Sequence, residues 1–342
     1  MMNNQGKFKP LRECNVLVTG ASGFMGGWLT EHLVSLGARV TVLLAEYNPS
    51  AHFVRSGSVG RVRNVVGSVL DYPFLEALIK QHGIDTVFHL AAITIEEDAF
   101  RHPLKALETN VRGTYNVLEA CRVCQDTVTR VIVASSDKAY GDSPQLPYTE
   151  DLPLRGRHPY AVSKSCADLI AQTYHVSYGL PVAIGRYGNI YGGGDLNMSR
   201  LVPGTVRRLL ASEPPLVRKP KDGVFSRDFL YVRDAVQSYI AMFEGLSDPA
   251  LHGEAFNFAI GGTWEPLDIV QRIQKIMNRE DLRPIIMVTD HPEIVLQHVS
   301  AEKAGRLLGW QPRYSLDQGL AEAVDWYVRF FNDARASEGA RH

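Results

Sequence analysis

The sequence predicts an α/β fold in which a doubly wound parallel sheet is followed by a smaller α/β domain. In the first half, short apolar runs alternate with segments whose apolar residues recur at helical spacing. This alternation is typical of a sheet covered by helices on both faces. A glycine-rich turn joins the first strand to the first helix. Beyond about Tyr160 the alternation loosens into a stretch rich in Gly, Pro and basic residues, 192–227, before helices and strands return.

The predicted strands are apolar without regular polar alternation, as expected where both faces of a sheet are buried. In chain order they read "NVLVTG", "RVTVLL", "RVRNVVGSV", "DTVFHLAA", "TRVIVASS", "PVAIGRYGNIYG", "AFNFAI" and "RPIIMV". The predicted helices read "FMGGWLTEHLVSLG", "YPFLEALIKQHG", "PLKALETNVRGTYNVLEACRVC", "PYAVSKSCADLIAQTYHVSYG", "YVRDAVQSYIAMFEGL", "EPLDIVQRIQKIM" and "LDQGLAEAVDWYVRFFNDA". Their order predicts two domains. Residues 12–190 form the first, to which 228–260 return, and residues 191–227 and 261–335 form the second.

The composition gives little reason to expect a nucleic-acid-binding protein, a membrane protein or a metalloprotein. The formal net charge of −1 gives no reason to expect nucleic acid or an anionic membrane as a partner. No run approaches 18 apolar residues and the first residues lack the apolar core of a signal peptide, so a cytoplasmic location is expected. Cys121 and Cys124 form a C-x-x-C without a second pair or a histidine cluster, so no metal site is expected.

Gly20, Gly23 and Gly26 form a G-x-x-G-x-x-G motif between the first predicted strand and the first predicted helix. This is the context that the dinucleotide-binding motif of a Rossmann fold requires. Gly20 suits the tight turn, Gly23 allows backbone N–H groups to approach a pyrophosphate, and Gly26 allows close helix packing. Phe24 and Met25 begin the helix, whose free N–H groups and dipole favour phosphate. The alternative is a flexible turn with no ligand.

The choice between NAD and NADP stays open in the sequence, although NAD is favoured. An acid at the end of the second strand commonly binds the ribose hydroxyls of NAD. That position holds Leu44, and Glu46 follows two residues later. Arg39 or Arg55 is a candidate partner for the 2′-phosphate of NADP.

Tyr160 and Lys164 form a Y-x-x-x-K motif on a predicted helix. Residues four apart lie on one helix face. A phenol is too weak an acid to act as a base at neutral pH, and a neighbouring ammonium favours the phenolate. The pair therefore predicts a proton shuttle for a hydroxyl that is being oxidised.

The strand "TRVIVASS" ends in Ser135 and Ser136, and Asp137 and Lys138 follow directly. One interpretation is a solvated surface turn with an incidental ion pair. The other is a catalytic acid and base, because the carboxyl ends of parallel strands carry the ligand sites of such folds. The position of these residues before the Tyr/Lys pair favours the catalytic interpretation.

Together these motifs resemble the extended short-chain dehydrogenase/reductase family, which contains NAD-dependent nucleotide-sugar epimerases and dehydratases. The resemblance covers about residues 15–312. It is carried by "TGASGFMGGW", "FHLAA", "TNVRGTYNVLEA", "PYAVSK", "GRYGNIYG", "SRDFLYVRDAV" and "LGWQP". It implies a bound nicotinamide cofactor, a nucleotide-sugar substrate and a smaller C-terminal substrate domain. Ser136-Asp137-Lys138, "GFMGGWL" and "GNIYGGGDLNMSRLVP" are similar to the CDP-glucose 4,6-dehydratase subgroup, whereas "AYG" at residues 139–141 looks more like other members.

The resemblance implies a role for each catalytic candidate. Oxidation at sugar C4 is followed by loss of water across C5 and C6, and the hydride then returns to C6. Tyr160 takes the C4 hydroxyl proton, Ser136 holds that oxygen and Lys164 tunes Tyr160. Asp137, kept protonated by burial, gives its proton to the leaving 6-hydroxyl. Lys138 either removes the C5 proton or remains charged and stabilises the enolate, and the sequence does not choose between these roles.

The resemblance also implies two sets of binding residues. Besides the glycine loop and the Tyr/Lys pair, the cofactor set comprises Ser68, Val69, Leu90, Ala91, Ala92, Asn110, Ser135 and Tyr187. The substrate set comprises Thr94, Asn189, Arg200 and Arg227, with Arg227 favoured for the diphosphate because its planar fork matches phosphate oxygens.

Two rival functions stay open in the sequence. A nucleotide-sugar 4-epimerase would share Tyr160 and Lys164 but would not need an acid and a base at 137 and 138. A non-catalytic NAD(P)-binding regulator would be expected to lose Tyr160 or Lys164, and both are present. Family resemblance further implies a homodimer or larger homo-oligomer through the helices after Pro103 and Pro159.

Overall fold

The computed structural model describes residues 8–221, 225–289 and 296–339. In chain order the strands are β1 Asn15–Thr19, β2 Arg39–Leu44, β3 Arg63–Val66, β4 Thr86–His89, β5 Arg130–Ala134, β6 Val182–Tyr187, β7 Asn189–Tyr191, β8 Leu216–Pro220, β9 Ser226–Arg227, β10 Phe229–Tyr231, β11 Ala255–Phe258, β12 Ile285–Thr289 and β13 Leu296–Gln297. The helices are α1 Phe24–Ser35, α2 His52–Arg55, α3 Tyr72–His82, α4 Glu96–Arg101, α5 Pro103–Leu107, α6 Gly113–Val123, α7 Pro159–Tyr178, α8 Leu201–Leu210, α9 Val232–Gly245, α10 Pro266–Met277, α11 Glu302–Leu308 and α12 Leu316–Gly339.

A seven-stranded parallel sheet organises the first part of the chain, in the order β11-β6-β5-β4-β1-β2-β3. Every residue of β4 and of β6 is buried, which explains why their sequences lack polar alternation. Separate apolar clusters pack on the two faces of the sheet, one around Phe88 and Phe256 and the other around Leu75 and Val131. The predicted doubly wound α/β fold is confirmed.

The chain returns to this sheet after leaving it. β11 pairs with β6 at the edge, although more than 60 residues separate the two strands in sequence. Between and after them lie three short parallel pairs, β7 with β10, β8 with β12 and β9 with β13. A third apolar cluster, centred on Val206, Ile273 and Tyr327, joins α8, α10 and α12. The division into two domains at the predicted boundaries stays a prediction.

One predicted helix is not uniform. The segment "PLKALETNVRGTYNVLEACRVC" forms α5, then a π-helical turn, Glu108–Arg112, and then α6. Such turns often occur at functional sites because they change the direction of a side chain without ending the helix. This turn contains Asn110. Within the described residues, no helix is long and apolar enough to cross a membrane.

Candidate functional site

The predicted site residues gather at the edge of the sheet where its parallel strands end. β1, β4, β5 and β6 end at Thr19, His89, Ala134 and Tyr187, respectively. Because these strands are parallel neighbours, their carboxyl ends open on the same crevice, where ligands of open α/β sheets bind.

The glycine loop is close-packed. Gly20 has a positive φ of 80°, and a Cβ there would lie 2.8 Å from the backbone nitrogen of Ala91. A Cβ on Gly26 would lie 2.1 Å from the carbonyl oxygen of Gly20, so no side chain fits. Gly23 is exposed and is the N-cap of α1, where it has no side chain to occupy the free N–H groups of the first turn. Phe24 and Met25 follow, both partly buried.

A buried chain of hydrogen bonds at the ends of β1 and β4 supports the glycine loop. The hydroxyl of Thr19 accepts hydrogen bonds from the N–H groups of Leu90 and Ala91, both at 3.2 Å. The ring of His89 bridges Thr19 Oγ1 (2.8 Å) and Thr114 Oγ1 (3.0 Å). Burial lowers the pKa of His89 to about 3, so the ring is neutral and has one donor and one acceptor for this bridge. The sequence did not mark His89 as functional.

Asn110 holds the connection after β4 against α7. Its side chain accepts a hydrogen bond from the N–H of Ile93 (2.7 Å) and donates to Ile93 O (2.9 Å) and to Ser163 Oγ (2.8 Å). Because these three hydrogen bonds engage its amide, its role in the structure is to position Ile93 and the neighbouring Ala92. Its predicted direct contact with the cofactor stays a prediction.

The other predicted cofactor residues lie at strand ends, but they differ in which of their polar groups already have hydrogen-bond partners in the protein. Ser68 and Val69 follow β3, where Val69 O accepts a hydrogen bond from Asn116. Ser135 follows β5, and its buried hydroxyl finds no hydrogen-bond partner among the residues that the structure describes. Tyr187 turns its ring into the core, where its hydroxyl lies 2.8 Å from Ser238 Oγ. Only the backbone of Tyr187 therefore faces the site.

The end of β5 and the start of α7 bring the hydroxyl of Ser136 and the phenol of Tyr160 together. Burial raises the pKa of Tyr160 to about 12, and its hydrogen bond with Ser136 acts in the opposite direction. Lys164 is buried and donates to Ala134 O at 3.0 Å. Burial lowers its pKa to about 8, against the opposing charge of Asp168. Burial is the largest influence on the pKa of Tyr160, so the phenol is protonated at neutral pH in the protein alone.

Asp137 and Lys138 form a short 3-10 turn that Ser136 caps, accepting a hydrogen bond from the N–H of Lys138. Asp137 is buried, so it is not in a solvated surface turn. Burial raises its pKa, and the charge of Lys138 and the hydroxyl of Ser136 oppose that rise. The ammonium of Lys138 lies 3.6 Å from a carboxylate oxygen of Glu96. The buried carboxyl of Asp137 and the side chain of Lys138 therefore lie side by side at the end of β5.

Two buried residues beside Asp137 were missed by the sequence analysis. Gln297 donates a hydrogen bond to Asp137 O at 3.0 Å, and the pairing of β13 with β9 brings it there. Asp228 lies on the other side of Gly188. A Cβ on Gly188 would be 3.3 Å from Asp228 Cβ and 3.5 Å from Asp137 Oδ2. The sequence feature that could have indicated Asp228 is its position after Arg227 in the motif "SRDFLYVRDAV". The sequence around Gln297 carries no such feature.

The predicted substrate residues surround this centre at different depths. Thr94 and Asn189 are exposed. Arg200 precedes α8 and makes a hydrogen-bonded ion pair with Asp195 at 3.2 Å. Arg227 is buried, and one of its guanidinium nitrogens donates to Ser226 O. The positive charges of Arg200 and Arg227 act on Tyr160 and Asp137, respectively, which places both arginines near the catalytic candidates.

One buried ion pair links the elements that carry the catalytic candidates. Arg186 on β6 donates two hydrogen bonds to Asp168 on α7, at 2.8 and 2.9 Å. It also donates to the hydroxyl of Tyr140 (2.8 Å), the last residue of the 3-10 turn. The hydroxyl of Tyr140 in turn donates to Asn257 on β11 at 2.8 Å. This network joins β6, β11, α7 and the Asp137–Lys138 turn.

A cavity of about 400 Å³ lies at the carboxyl end of β2. It is lined by Leu44, Ala45, Glu46, Tyr47, Val59, Asn64 and Val66. Arg39 begins β2 and hydrogen-bonds Asn15 Oδ1, so it lies at the opposite edge of the sheet. Arg55 makes an ion pair with Asp333. Glu46 is therefore the acidic residue among those that line this cavity, and neither arginine lines it.

Residues 16–259 match the family described as the NAD dependent epimerase/dehydratase family. The chain is 32% identical over 335 residues to a dTDP-glucose 4,6-dehydratase of Xanthomonas campestris pv. campestris, with 91% of this chain and 92% of the relative covered. It is 29% identical over 334 residues to the CDP-glucose 4,6-dehydratase of Salmonella typhimurium, with 91% and 90% covered.

Solved structures have the same fold. A dTDP-glucose 4,6-dehydratase from Streptomyces venezuelae with NAD bound has a TM-score of 0.82 and 26% identity, covering 92% of this chain and 97% of that one. A UDP-glucose 4-epimerase from Thermotoga maritima with UDP-glucose has a TM-score of 0.82 and 25% identity, covering 93% and 99%. The predicted family resemblance and the predicted NAD cofactor are confirmed.

The residues at the strand ends fit NAD. The close packing around Gly20 and Gly26 presents the N-terminus of α1 to the crevice, as a pyrophosphate requires. The unpartnered hydroxyl of Ser135 lies at the end of β5, where a polar ligand would satisfy it. Glu46 at the cavity beyond β2 is suited to ribose hydroxyls. Across the described ranges, no cluster of His, Cys, Asp and Glu has the make-up of a metal site.

We predict that Arg186→Met destabilises the fold by about 3–5 kcal/mol, because it leaves the carboxylate of Asp168 buried and unpaired. The side chains of Arg186 and Asp168 are 3% and 0% exposed. The free energy of unfolding is measured in urea at pH 7. The control is Arg101→Met, which breaks an exposed pair with Glu97 and should cost at most about 1 kcal/mol. Equal effects of the two substitutions would contradict the structural role of the buried pair.

We predict that Asp228 makes the wild type less stable as the pH rises. Asp228 is 3% exposed, and burial raises its pKa from 3.8 to about 7. The folded protein therefore binds a proton that the unfolded chain releases between about pH 4 and pH 7, so this carboxyl lowers stability across that window. Asp228→Asn removes the effect, and its stability relative to wild type should increase by about 2 kcal/mol from pH 5 to pH 8.

The measurement for Asp228 is urea unfolding at both pH values. The exposed residue Asp142 provides the control, because Asp142→Asn should give the same difference from wild type at pH 5 and pH 8. A difference for Asp228→Asn that does not change with pH would mean that this carboxyl is ionised in the folded protein.

Proposed function

This chain belongs to the NAD-dependent epimerase/dehydratase family, and from that premise we propose that it is a nucleotide-sugar 4,6-dehydratase with CDP-glucose as its substrate. The observation that carries the proposal is the buried carboxyl of Asp137 beside the ammonium of Lys138, next to Ser136 and Tyr160. A proton donor and a cation at one point suit elimination of water, which needs both a proton for the leaving oxygen and stabilisation of a carbanion.

The proposed reaction converts CDP-glucose to CDP-4-keto-6-deoxyglucose. The C4 alcohol is oxidised to a ketone, water leaves across C5 and C6, and the resulting double bond is reduced at C6 with a proton returned to C5. The chemistry that NAD supplies when bound is acceptance of the hydride from C4 and its return to C6. The sum of these steps is the loss of one water, so no external reductant is consumed.

Tyr160, Ser136 and Lys164 serve the oxidation at C4. Tyr160 accepts the proton of the C4 hydroxyl, and the hydroxyl of Ser136 holds the same oxygen. The pKa of Tyr160 is about 12 in the protein alone, so its deprotonation depends on a nearby positive charge, which the oxidised nicotinamide ring would supply when NAD is bound. Lys164 is held by Ala134 O at the floor of the site and adds to that positive field.

Asp137 serves the elimination as the acid. Its burial favours the neutral carboxyl, the form that can donate a proton to the leaving 6-hydroxyl. Gln297 donates its hydrogen bond to the backbone carbonyl oxygen of Asp137. This leaves the side-chain carboxyl of Asp137 available to the substrate. Lys138, the neighbour of Asp137, acts at C5. It is either the base that removes the C5 proton or a cation that stabilises the enolate.

Arg227 and Arg200 are proposed to bind the diphosphate. Both guanidinium groups lie near the catalytic candidates, and arginine matches phosphate oxygens in a planar fork. Asn189 and Thr94 are exposed at the same crevice and supply hydrogen bonds to the sugar. The choice of cytidine rests on the Ser136-Asp137-Lys138 sequence and on the Salmonella relative, which is a CDP-glucose 4,6-dehydratase.

A 4-epimerase is the alternative, favoured by the similarity to a UDP-glucose 4-epimerase structure. An epimerase oxidises and reduces C4 only, so it has no use for a proton donor that faces C6. The burial of Asp137 beside Lys138 would then have no function in the reaction. This residue pair is the reason that dehydration is preferred.

A homodimer is proposed from the exposed apolar side chains on the helices after Pro103 and Pro159. Leu104, Leu107, Leu169 and Val176 are exposed on α5 and α7. Apolar side chains concentrated on neighbouring helices are typical of a protein interface. Sedimentation equilibrium should give twice the mass of the chain, and a single-chain mass would contradict the proposal.

The proposal is tested by incubating the purified protein with CDP-glucose, dTDP-glucose, UDP-glucose and GDP-mannose separately, each with NAD. Mass spectrometry follows the loss of one water from each sugar nucleotide. We expect water loss, greatest with CDP-glucose. Water loss from a different nucleotide would keep the dehydratase and correct the base, whereas conversion without a mass change would establish the epimerase.

We predict that Asp137→Asn separates oxidation from elimination. The variant should still form reduced NAD with substrate but should lose water about 10²–10⁴-fold more slowly, because the amide cannot donate the proton of a carboxylic acid. Lys138→Met should have the same phenotype. Absorbance of the reduced nicotinamide and mass spectrometry of the sugar measure the two steps. The exposed Asp142→Asn is the control. Unchanged water loss in either variant would remove that residue from the mechanism.

A further inference from the structure

Two of the sequence motifs meet in space at a point away from the catalytic residues. The first, "GFMGGWL", contains Trp28, which lies on α1 one turn beyond Phe24. The second, "GNIYGGGDLNMSRLVP", contains three consecutive glycines at 192–194. The indole Nε1 of Trp28 donates a hydrogen bond of 2.7 Å to Gly193 O, across 165 residues of sequence. The helix whose N-terminus fits the cofactor is therefore joined directly to the loop at 192–200.

Gly193 and Gly194 allow this close approach. A Cβ on Gly193 would lie 2.2 Å from Cγ of Trp326. Gly194 has a positive φ of 89°, and a Cβ there would lie 2.9 Å from Cβ of His52 and 3.3 Å from Nε1 of Trp28. Side chains at these two positions would push the loop away from α1 and α12, so the glycines are explained by the contact itself.

The indole of Trp28 is itself held in place. Its ring stacks on the imidazole of His52, with ring centroids 4.0 Å apart and ring planes at 10°. Nε2 of His52 lies within hydrogen-bonding distance of Glu31, at 2.7 Å. The guanidinium carbon of Arg233 lies 5.5 Å from the centroid of the Trp28 ring. Because these contacts restrict the ring, its N–H group is directed at a single acceptor, Gly193 O.

The loop leads from this contact to a residue that is proposed to bind the diphosphate. The hydroxyl of Tyr327 on α12 lies 2.9 Å from both Gly192 O and Asp195 O. The buried carboxylate of Asp195 pairs with Arg200 at 3.2 Å and accepts a hydrogen bond from the N–H of Asn197 at 3.1 Å. The position of the fixed part of the loop therefore determines where the guanidinium of Arg200 stands.

We propose that Trp28 is a positioning residue for the diphosphate of the nucleotide sugar, because its hydrogen bond to Gly193 fixes the loop that carries Arg200. This inference rests on the proposed function, in which Arg200 binds the diphosphate, and it deepens that function by assigning the end of the glycine motif to the substrate. The alternative is that Trp28 only packs the cofactor helix. Its loss would then change stability or NAD affinity and leave the affinity for the sugar nucleotide unaltered.

The first measurement is amide hydrogen exchange in the protein alone, followed by mass spectrometry of its peptides. Trp28→Phe removes the indole N–H and keeps an aromatic ring beside His52. We expect the amides of residues 192–200 to exchange about 3–10-fold faster, as for the loss of one hydrogen bond. Unchanged exchange of these amides would overturn the proposal.

Trp310→Phe is the matched control for the exchange measurement. Nε1 of Trp310 also donates to a backbone carbonyl oxygen, that of Asp234, at 3.2 Å. The two substitutions therefore remove the same kind of hydrogen bond at different places. Trp310→Phe should leave exchange at residues 192–200 unchanged. Equal acceleration there in both variants would mean that the loop responds to general destabilisation, and it would overturn the proposal.

The second measurement is calorimetric titration of NAD into the protein and of CDP into the NAD-bound protein. We expect Trp28→Phe to bind CDP about 3–10-fold more weakly and to bind NAD with unchanged affinity. In turnover of the accepted sugar nucleotide, KM should rise by the same factor while kcat stays within about twofold, because the lost interaction serves binding alone. Weaker NAD binding with unchanged CDP binding would overturn the proposal.

Arg200→Gln tests whether Trp28 acts through Arg200. If it does, Arg200→Gln weakens CDP binding at least as much as Trp28→Phe, and the double variant binds CDP no more weakly than Arg200→Gln alone. Losses that add would overturn the proposal. If the wild type binds dTDP or UDP in place of CDP, the same comparisons are made with that nucleotide. Absence of nucleotide binding in the wild type would refute the proposed function, and hydrogen exchange would still decide whether Trp28 holds the loop.

Discussion

The buried ion pair between Arg186 and Asp168 is the interaction on which the geometry of the catalytic centre depends. Its two hydrogen bonds hold α7, which carries Tyr160 and Lys164, against β6. A third hydrogen bond from the same guanidinium fixes Tyr140 and with it the turn that contains Asp137 and Lys138. Hydrogen bonds from Lys164 to Ala134 O and from Ser165 to Ala139 O also join α7 to the end of β5 and to the turn. The pair therefore contributes to specificity of geometry, a role for which buried charges are suited despite their desolvation cost.

Burial favours the neutral form of four ionisable groups at this centre. It raises the pKa values of Asp137, Asp228 and Tyr160 and lowers that of Lys164. A neutral carboxylic acid is the form that elimination requires, whereas a protonated phenol is not the form that oxidation requires. In the proposed dehydratase, the burial of Asp137 therefore favours elimination, whereas Tyr160 has to lose its proton before it can serve the oxidation.

The sheet, the glycine loop and the Tyr/Lys helix could be predicted because each is encoded by residues close together in sequence. Apolar strands, the spacing of Gly20 and Gly26, and residues four apart on a helix are all local patterns. Glu96 and Gln297 could not be predicted, since they reach Asp137 and Lys138 only through the packing of α4 and the pairing of β13. The inward direction of the Tyr187 ring and the burial that governs Tyr160 are likewise tertiary effects, which the sequence motifs do not contain.

The central claim is that one site oxidises C4, removes water across C5 and C6 and returns the same hydrogen to C6. The most direct test is a single reaction with the accepted nucleotide sugar carrying deuterium at C4, analysed by NMR and mass spectrometry of the product. The account predicts loss of one water and deuterium in the new C6 methyl group. Deuterium that remains at C4 of a product with unchanged mass would contradict the account and identify an epimerase.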